Sequence, residues 1–384
     1  MTKKNILVFV DYFLPGYKAG GPIKSVATII KALNPYFNFT VVTQNHDLND
    51  KNTYTEVANN EWIERYGCKI IYLNKKNTNA DVFKGIIQDT DFDVVYFNSL
   101  FAPMHTLAPL RLVRKYKKDA QIVLAPRGML GENSLKIKPL KKKIFLRLTK
   151  LTRFFEGITW HASSQIEANE IRLHYGKTAN IKIASNITLA EDIDLTLKIE
   201  KQPNKANFFF LSRIQSIKNL HGALQALKQF NHTNTQIQYD IIGPIEDQKY
   251  WQMCQTIIEE LDKNCITVRY LGGIPNHQLK EKLTQYHFLL MPTLNENYGH
   301  AIVESFANGC PVIISNQTQW LDLTRQQIGW DTDPNDTTAF EKSIQEAVQM
   351  NQETYQTWAK NCLQFVNQTI CSQDILQKNI ELFQ

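Results

Sequence analysis

Residues Glu296–Ser315 read ENYGHAIVESFANGCPVIIS. The stretch begins as a polar loop, turns at Gly299-His300, continues as an apolar helical pattern, stops at Gly309 and passes through Cys310-Pro311 into VIIS. That last run does not alternate apolar with polar residues, which suits a parallel strand covered by helices on both faces. It is preceded by FLLMPT, so the unit is strand, loop, helix, strand. Working outward, the same rhythm fills the chain. In the second half the candidate strands are Phe208–Ser212, Tyr239–Gly243, Thr267–Leu271, Phe288–Pro292 and Pro311–Ser315. In the first half they are Asn5–Val10, Phe39–Thr43, Lys69–Tyr72, Val94–Asn98, Ile122–Leu124 and Thr159–Ser163. Strands that alternate with helical patterns predict two consecutive doubly wound α/β domains. We place the first at residues 1–190, the second at 205–365 and a C-terminal helix at 366–384, with a hinge in the polar, proline-containing stretch Ile187–Asn207.

The composition agrees with this division. A chain of 384 residues exceeds one ordinary core, and 43% hydrophobic with 21% charged residues is the balance of a globular protein. Six cysteines without a CxxC pair or a zinc-like His partner read as reduced thiols of a cytosolic protein. The N-terminal MTKKNILVFVDYF reads as a first strand, not a signal peptide, and no apolar run nears the roughly 20 residues of a membrane span. The net charge of +6 is modest, so its distribution carries more information than its sum.

Open α/β sheets bind ligands beyond the carboxyl ends of their strands, and two such sheets facing each other would leave a cleft. The loops after strands are therefore the candidate sites. After the first strand, Gly20-Gly21-Pro22 opens a helix with Ile23, Val26, Ala27 and Ile30 on one side. It is a tight turn, or a place where backbone N–H groups approach an anion or a sugar. It is not GxGxxG, and the second strand ends in Thr43-Gln44-Asn45 without the acidic residue of a nicotinamide-dinucleotide site. After the strand FFFLS, Arg213 and Lys218 precede a helix carrying Leu220, Ala223, Leu224 and Leu227, and two cations so placed suit a diphosphate. Glu296 falls in the loop before its helix and Glu304 about one turn inside it. Carboxylates beside a phosphate-favouring helix start fit sugar hydroxyls, whose hydrogen bonds they accept, although capping accounts for either one alone.

The spacing of Glu296 and Glu304 in ENYGHAIVE, followed by ANGCPVIIS, resembles the E-x7-E motif of retaining GT-B glycosyltransferases of glycosyltransferase family 4. SRIQSIKNL is similar to that family's Arg/Lys pair and GGPIKSV to its N-terminal glycine loop. The resemblance implies two Rossmann-like domains facing a cleft. It also implies that Arg213 and Lys218 hold the donor diphosphate and stabilise the leaving group, that Glu304 binds the ribose and that Glu296 binds the transferred sugar. Gly21 and the backbone of Asn297, Tyr298, Gly299 and His300 would contact the nucleotide-sugar, while Gly20, Lys24 and Arg127 would lie on the acceptor side. LAPRGML has Arg127 and Gly128 where many relatives have a histidine, and ASNIT replaces a Pro-Asn-Gly turn. Arg127 cannot be a base at neutral pH, so it binds acceptor or phosphate, or packs structurally.

No metal or other cofactor is expected: the DFD of Asp91–Asp93 precedes its strand, at the wrong end of the sheet for ligands. Residues 136–155 hold eight cations, with Leu140, Ile144, Leu148, Leu151 and Phe155 at steps of three or four. That pattern fits an anionic membrane surface on the cytoplasmic side, or a core helix with a solvated basic back. RNA fits less well, since the aromatic residues fall within the apolar pattern. The expected activity is transfer of a sugar to a glycan acceptor, preferably lipid-linked, in surface polysaccharide assembly. The rivals are a nucleotide-sugar epimerase or hydrolase and a non-catalytic partner subunit.

Overall fold

The structure, a computed structural model, describes residues 3–189, 200–230 and 234–384. The chain divides into two compact units, residues 1–187 with 373–384, and residues 188–372. Much of the expected hinge, residues 190–199, lies outside the described residues.

In the first unit the strands are β1 (Lys4–Phe9), β2 (Phe37–Gln44), β3 (Trp62–Arg65), β4 (Cys68–Leu73), β5 (Val94–Asn98), β6 (Gln121–Ala125), β7 (Thr159–Ala162) and β8 (Ile181–Ile183). They form one sheet in the order β3-β4-β2-β1-β5-β6-β7-β8. Every pairing is parallel except that of β3 with β4. The second unit contains β9 (Lys205–Leu211), β10 (Gln236–Ile242), β11 (Ile266–Gly272), β12 (Phe288–Met291), β13 (Val312–Ser315) and β14 (Gly329–Thr332), in the order β11-β10-β9-β12-β13-β14. That sheet is parallel throughout its described strands. In both sheets the chain reverses its direction of growth beside the first strand, between β1 and β5 and between β9 and β12, which is where open α/β sheets receive ligands.

The lack of alternation in the sequence follows from this burial. Phe208, Phe209 and Phe210 of β9 point to opposite faces in turn, yet each is 0% exposed because helices cover both sides. The helix Leu220–Gln229 covers the sheet through Leu220, Ala223, Leu224 and Leu227, as its spacing predicts. Three strands escape the sequence pattern. β3 is a four-residue antiparallel edge, β8 has three half-buried residues, and β14 reads GWDT, with too few branched residues to stand out.

The C-terminal expectation needs correction. Residues 366–384 are not one appended helix: a π-helical turn at Val366–Ile370 ends the second unit, and the helix Gln373–Phe383 belongs to the first. The reason is packing. Phe383 is 0% exposed, its ring meeting Phe37, Phe39 and Tyr96, and Asn379 Nδ2 donates to the Ser185 carbonyl at 2.8 Å.

Candidate functional site

At the switch point of the second sheet, the loops after β9 and β12 are tied together by backbone groups. Leu294 N donates to the Ile217 carbonyl at 2.8 Å, and Asn219, in left-handed backbone before the helix Leu220–Gln229, donates through Nδ2 to the Pro292 carbonyl at 2.8 Å. Between these anchors Lys218 Nζ lies 2.6 Å from Glu296 Oε2, with side chains only 13% and 17% exposed. Glu296 N in turn donates to the Gln317 carbonyl, which joins the loop after β13 to the site. Two candidates separated by 78 positions in sequence are thus in direct contact.

Arg213 stands on the other side of β9. Its Nη1 lies 2.6 Å from Glu246 Oε2, in the loop after β10. That loop is bound to the Arg213 loop through Ile214 N to the Pro244 carbonyl at 2.9 Å and Glu246 N to the Ile214 carbonyl at 3.2 Å. Gly243 permits this approach, because a Cβ there would meet the Ser212 carbonyl oxygen at 1.9 Å. Arg213 and Lys218 therefore take separate carboxylates. Nothing local in the sequence marks Glu246, because its significance depends on the pairing of two loops; its place just past β10 is the one signal it offers.

Gly299 adopts φ 78° and precedes the helix His300–Ala307, which no side chain caps at its N-terminus. Its conformation explains the glycine, and the left-handed Gly309 (φ 67°) closes the helix. Glu304 is half-buried in this helix, and its backbone carbonyl accepts from Asn308 Nδ2 at 2.8 Å. Asn297 and His300 are also half-buried. Tyr298 is a core residue at 3% exposure, with its carbonyl accepting from Trp320 Nε1 at 2.6 Å and its hydroxyl 3.3 Å from Thr188 Oγ1.

In the first unit, Gly20 (φ 72°) precedes the helix Gly21–Leu33, with Lys24 half-buried in its first turn. Asp47 pins the loop leading to this helix, Oδ2 accepting from Tyr17 N at 2.6 Å and Lys18 N at 2.9 Å. Arg127, with positive φ just past β6, is held on several sides. Its Nε and Nη2 donate to Asn98 Oδ1 at 3.1 and 2.8 Å, its Nη1 to Asn186 Oδ1 at 2.8 Å and its Nη2 to Tyr96 Oη at 2.7 Å. The Tyr96 hydroxyl lies 2.7 Å from Nδ1 of His161, whose Nε2 is 2.8 Å from the Ala184 carbonyl. A carbonyl cannot donate, so Nε2 carries the proton, Nδ1 accepts from Tyr96, and burial lowers the His161 pKa to about 3. Of the two roles open to Arg127, this network supplies the packing one.

Asp91 and Asp93, before β5, accept from the Asn5 side chain and backbone N–H. Among the described residues no group of three or more His, Cys, Asp or Glu side chains could hold a metal ion.

Residues 193–364 match the family described as Glycosyl transferases group 1. The chain is 28% identical over 144 residues to O-antigen chain mannosyltransferase B of Escherichia coli, a match covering 36% of this chain and 36% of that relative. Among solved structures it superposes on sucrose-phosphate synthase from Thermosynechococcus elongatus with a TM-score of 0.75 at 16% identity, covering 99% of this chain and 98% of that one. It superposes on Anabaena HepE, solved in complex with UDP-glucose, with a TM-score of 0.69 at 16% identity and the same coverage. The structural likeness at these identities is one of fold. The chain therefore has the two-sheet α/β fold of these solved structures, and its residues 193–364 are similar to the glycosyl transferases group 1 family.

Proposed function

We propose that the protein is a retaining, metal-independent glycosyltransferase that moves a sugar from a nucleoside diphosphate donor to a glycan acceptor, lipid-linked, in the assembly of a surface polysaccharide. The observation that carries the proposal is the Lys218–Glu296 contact of 2.6 Å at the switch point of a group 1 domain. A cation and a carboxylate held there by backbone-anchored loops match the two ends of a nucleotide-sugar. Lys218 and Arg213 would draw the diphosphate charge as the bond from the sugar to phosphate breaks, a role needing fixed positive charge and no solvent reorganisation. Glu296 would accept a hydroxyl of the transferred sugar and Glu304 one of the ribose.

The lipid-linked acceptor rests on the helix Pro139–Leu151. Leu140, Ile144, Leu148 and Leu151 lie along one stripe and are 70%, 50%, 54% and 79% exposed. Lys141, Lys143, Arg147 and Lys150 are exposed beside them. An uncovered apolar stripe with flanking cations suits an anionic bilayer surface, and this supports a peripheral position on the inner face of the cell membrane. No helix among the described residues is long and apolar enough to cross a membrane.

The test begins with thermal shifts against a panel of nucleotide-sugars and nucleoside diphosphates, since a ligand at 100 times its Kd adds about 2.7 kcal/mol. The stabilising donor is then incubated with polyprenyl-diphosphate-linked glycans. The expected outcome is release of the nucleoside diphosphate and a product keeping the donor's anomeric configuration by NMR. Release of free sugar alone, or an inverted product, would refute the proposal.

A further inference from the structure

We propose that Asp11 is the carboxylate that receives an acceptor sugar hydroxyl, and that His105 is its positioning residue; the assignment rests on the glycosyl-transfer reading above. Asp11 follows β1 by two residues, and His105 lies in the π-helical turn Pro103–Leu107 that follows β5. These are the two strands that flank the switch point of the first sheet. Across it His105 Nδ1 stands 3.0 Å from Asp11 Oδ1.

His105 is 0% exposed, and its Nε2 has no hydrogen-bond partner. Since a carboxylate oxygen only accepts, Nδ1 carries the proton, and Nε2 is a buried nitrogen left unsatisfied. Phe83 packs edge-on against the ring at 5.7 Å, an apolar contact that phenylalanine would make as well without an orphaned nitrogen. The imidazole offers one thing phenylalanine lacks, the hydrogen bond to Asp11. The backbone is arranged for it: Ser99, between β5 and the turn, has φ 98°, and its carbonyl accepts from Thr106 Oγ1 at 2.7 Å.

Asp11 itself is not buried. Its side chain is 29% exposed, and among the described residues Oδ2 has no hydrogen bond. One oxygen is fixed from inside the protein, and the side chain as a whole is part-exposed, which leaves the carboxylate a second acceptor for an incoming donor. Nearby along the same strand edge, Asn98 Nδ2 is buried without a partner while its Oδ1 is taken by Arg127. A hydrogen-bond donor, such as a sugar hydroxyl, matches the Asp11 carboxylate better than a phosphate, which Asp11 would repel. Arg127 then serves as the scaffold of the acceptor side, and the Asp11 carboxylate makes the contact.

The experiment measures transfer from the identified donor to n-octyl glucoside, galactoside and mannoside, with nucleoside diphosphate binding by calorimetry as the control for folding. Asp11→Asn should lower kcat/KM for the accepting glycoside about 10- to 100-fold, the scale of one charged hydrogen bond, and leave nucleotide affinity unchanged. His105→Phe should act in the same direction, chiefly through acceptor KM, whereas His105→Asn, whose amide N–H can replace Nδ1, should stay close to wild type. Undiminished transfer by Asp11→Asn and His105→Phe would overturn the assignment while leaving the glycosyl-transfer reading intact. Equal loss in His105→Phe and His105→Asn would overturn the positioning role. A wild type that binds nucleotide but transfers to none of the glycosides nor to a polyprenyl-linked glycan would remove the underlying reading as well.

Discussion

Arg213 and Lys218 each rest on a carboxylate, Glu246 and Glu296, at 2.6 Å. Pairs of this kind hold long side chains in place, and on the proposed function a donor diphosphate would exchange or share their partners. Arg213→Ala and Lys218→Ala should each reduce turnover by at least ~100-fold, the loss typical of removing one transition-state charge partner. Near-normal steady-state rates in both variants would show that the diphosphate lies elsewhere. If these side chains supply the positive charge, as the proposed function has it, activity should survive excess EDTA. A strict need for added Mg²⁺ or Mn²⁺ would contradict that charge balance. At this scale the types and strand-end positions of Arg213, Lys218, Glu296 and Glu304 were legible, since they follow from where strands stop. Their partners were not legible, because a hydrogen bond between loops 33 or 78 residues apart leaves no local pattern.

Among the elements, the basic helix shows how far periodicity reaches. Its apolar stripe was readable, but a stripe can face a core or a solvent, and the structure turns Phe145, Leu146 and Thr149 inward instead. Phe155 does not extend the stripe: the helix ends at Leu151, and Phe155 is 6% exposed among Phe145, Phe154, Trp160 and Tyr175. Lys142 is also set apart, bonding to the Ser134 carbonyl at 2.6 Å and lying over the Phe101 ring, with burial lowering its pKa. The informative variant therefore changes Lys141, Lys143 and Arg147 to Glu and spares Lys142. It should keep nucleotide binding, lose cosedimentation with phosphatidylglycerol vesicles and lose activity on a lipid-linked acceptor. Salt should weaken wild-type binding to the same vesicles. A wild type that ignores anionic vesicles at low salt would refute docking by this helix.

For the whole molecule, both units contain a buried neutral histidine. His161 belongs to the first unit; in the second, His287 Nδ1 accepts from Asn207 N at 2.9 Å while Nε2 faces the Glu200 carbonyl at 2.9 Å. Burial lowers their pKa values to about 3 and about 4. In the unfolded chain both titrate near 6.5, so the unfolded state binds more protons in the window below that value. Their stabilising contribution is complete above about pH 6.5 and declines toward pH 4, by up to roughly 1.4 kcal/mol per pH unit for each ring. Urea unfolding followed at intervals from pH 7.5 to pH 4.5 should show midpoints falling with pH, with the two units free to unfold separately. A flat profile would mean that these rings are not held neutral.

The sequence alone determined the layered α/β architecture of two units, because strands buried on both faces must be apolar at every position, and that constraint is written into consecutive residues such as Phe208–Phe210. It also determined which loops follow strand ends and so which side chains could meet a ligand. Only the tertiary structure decided that the helix Gln373–Phe383 returns to the first unit, that Arg127 is committed to Asn98, Asn186 and Tyr96, and that His105 reaches Asp11 across 94 residues. Each of these depends on which strands become neighbours in a sheet. Periodicity sets what an element buries; the order of strands, which no local pattern encodes, sets what it meets.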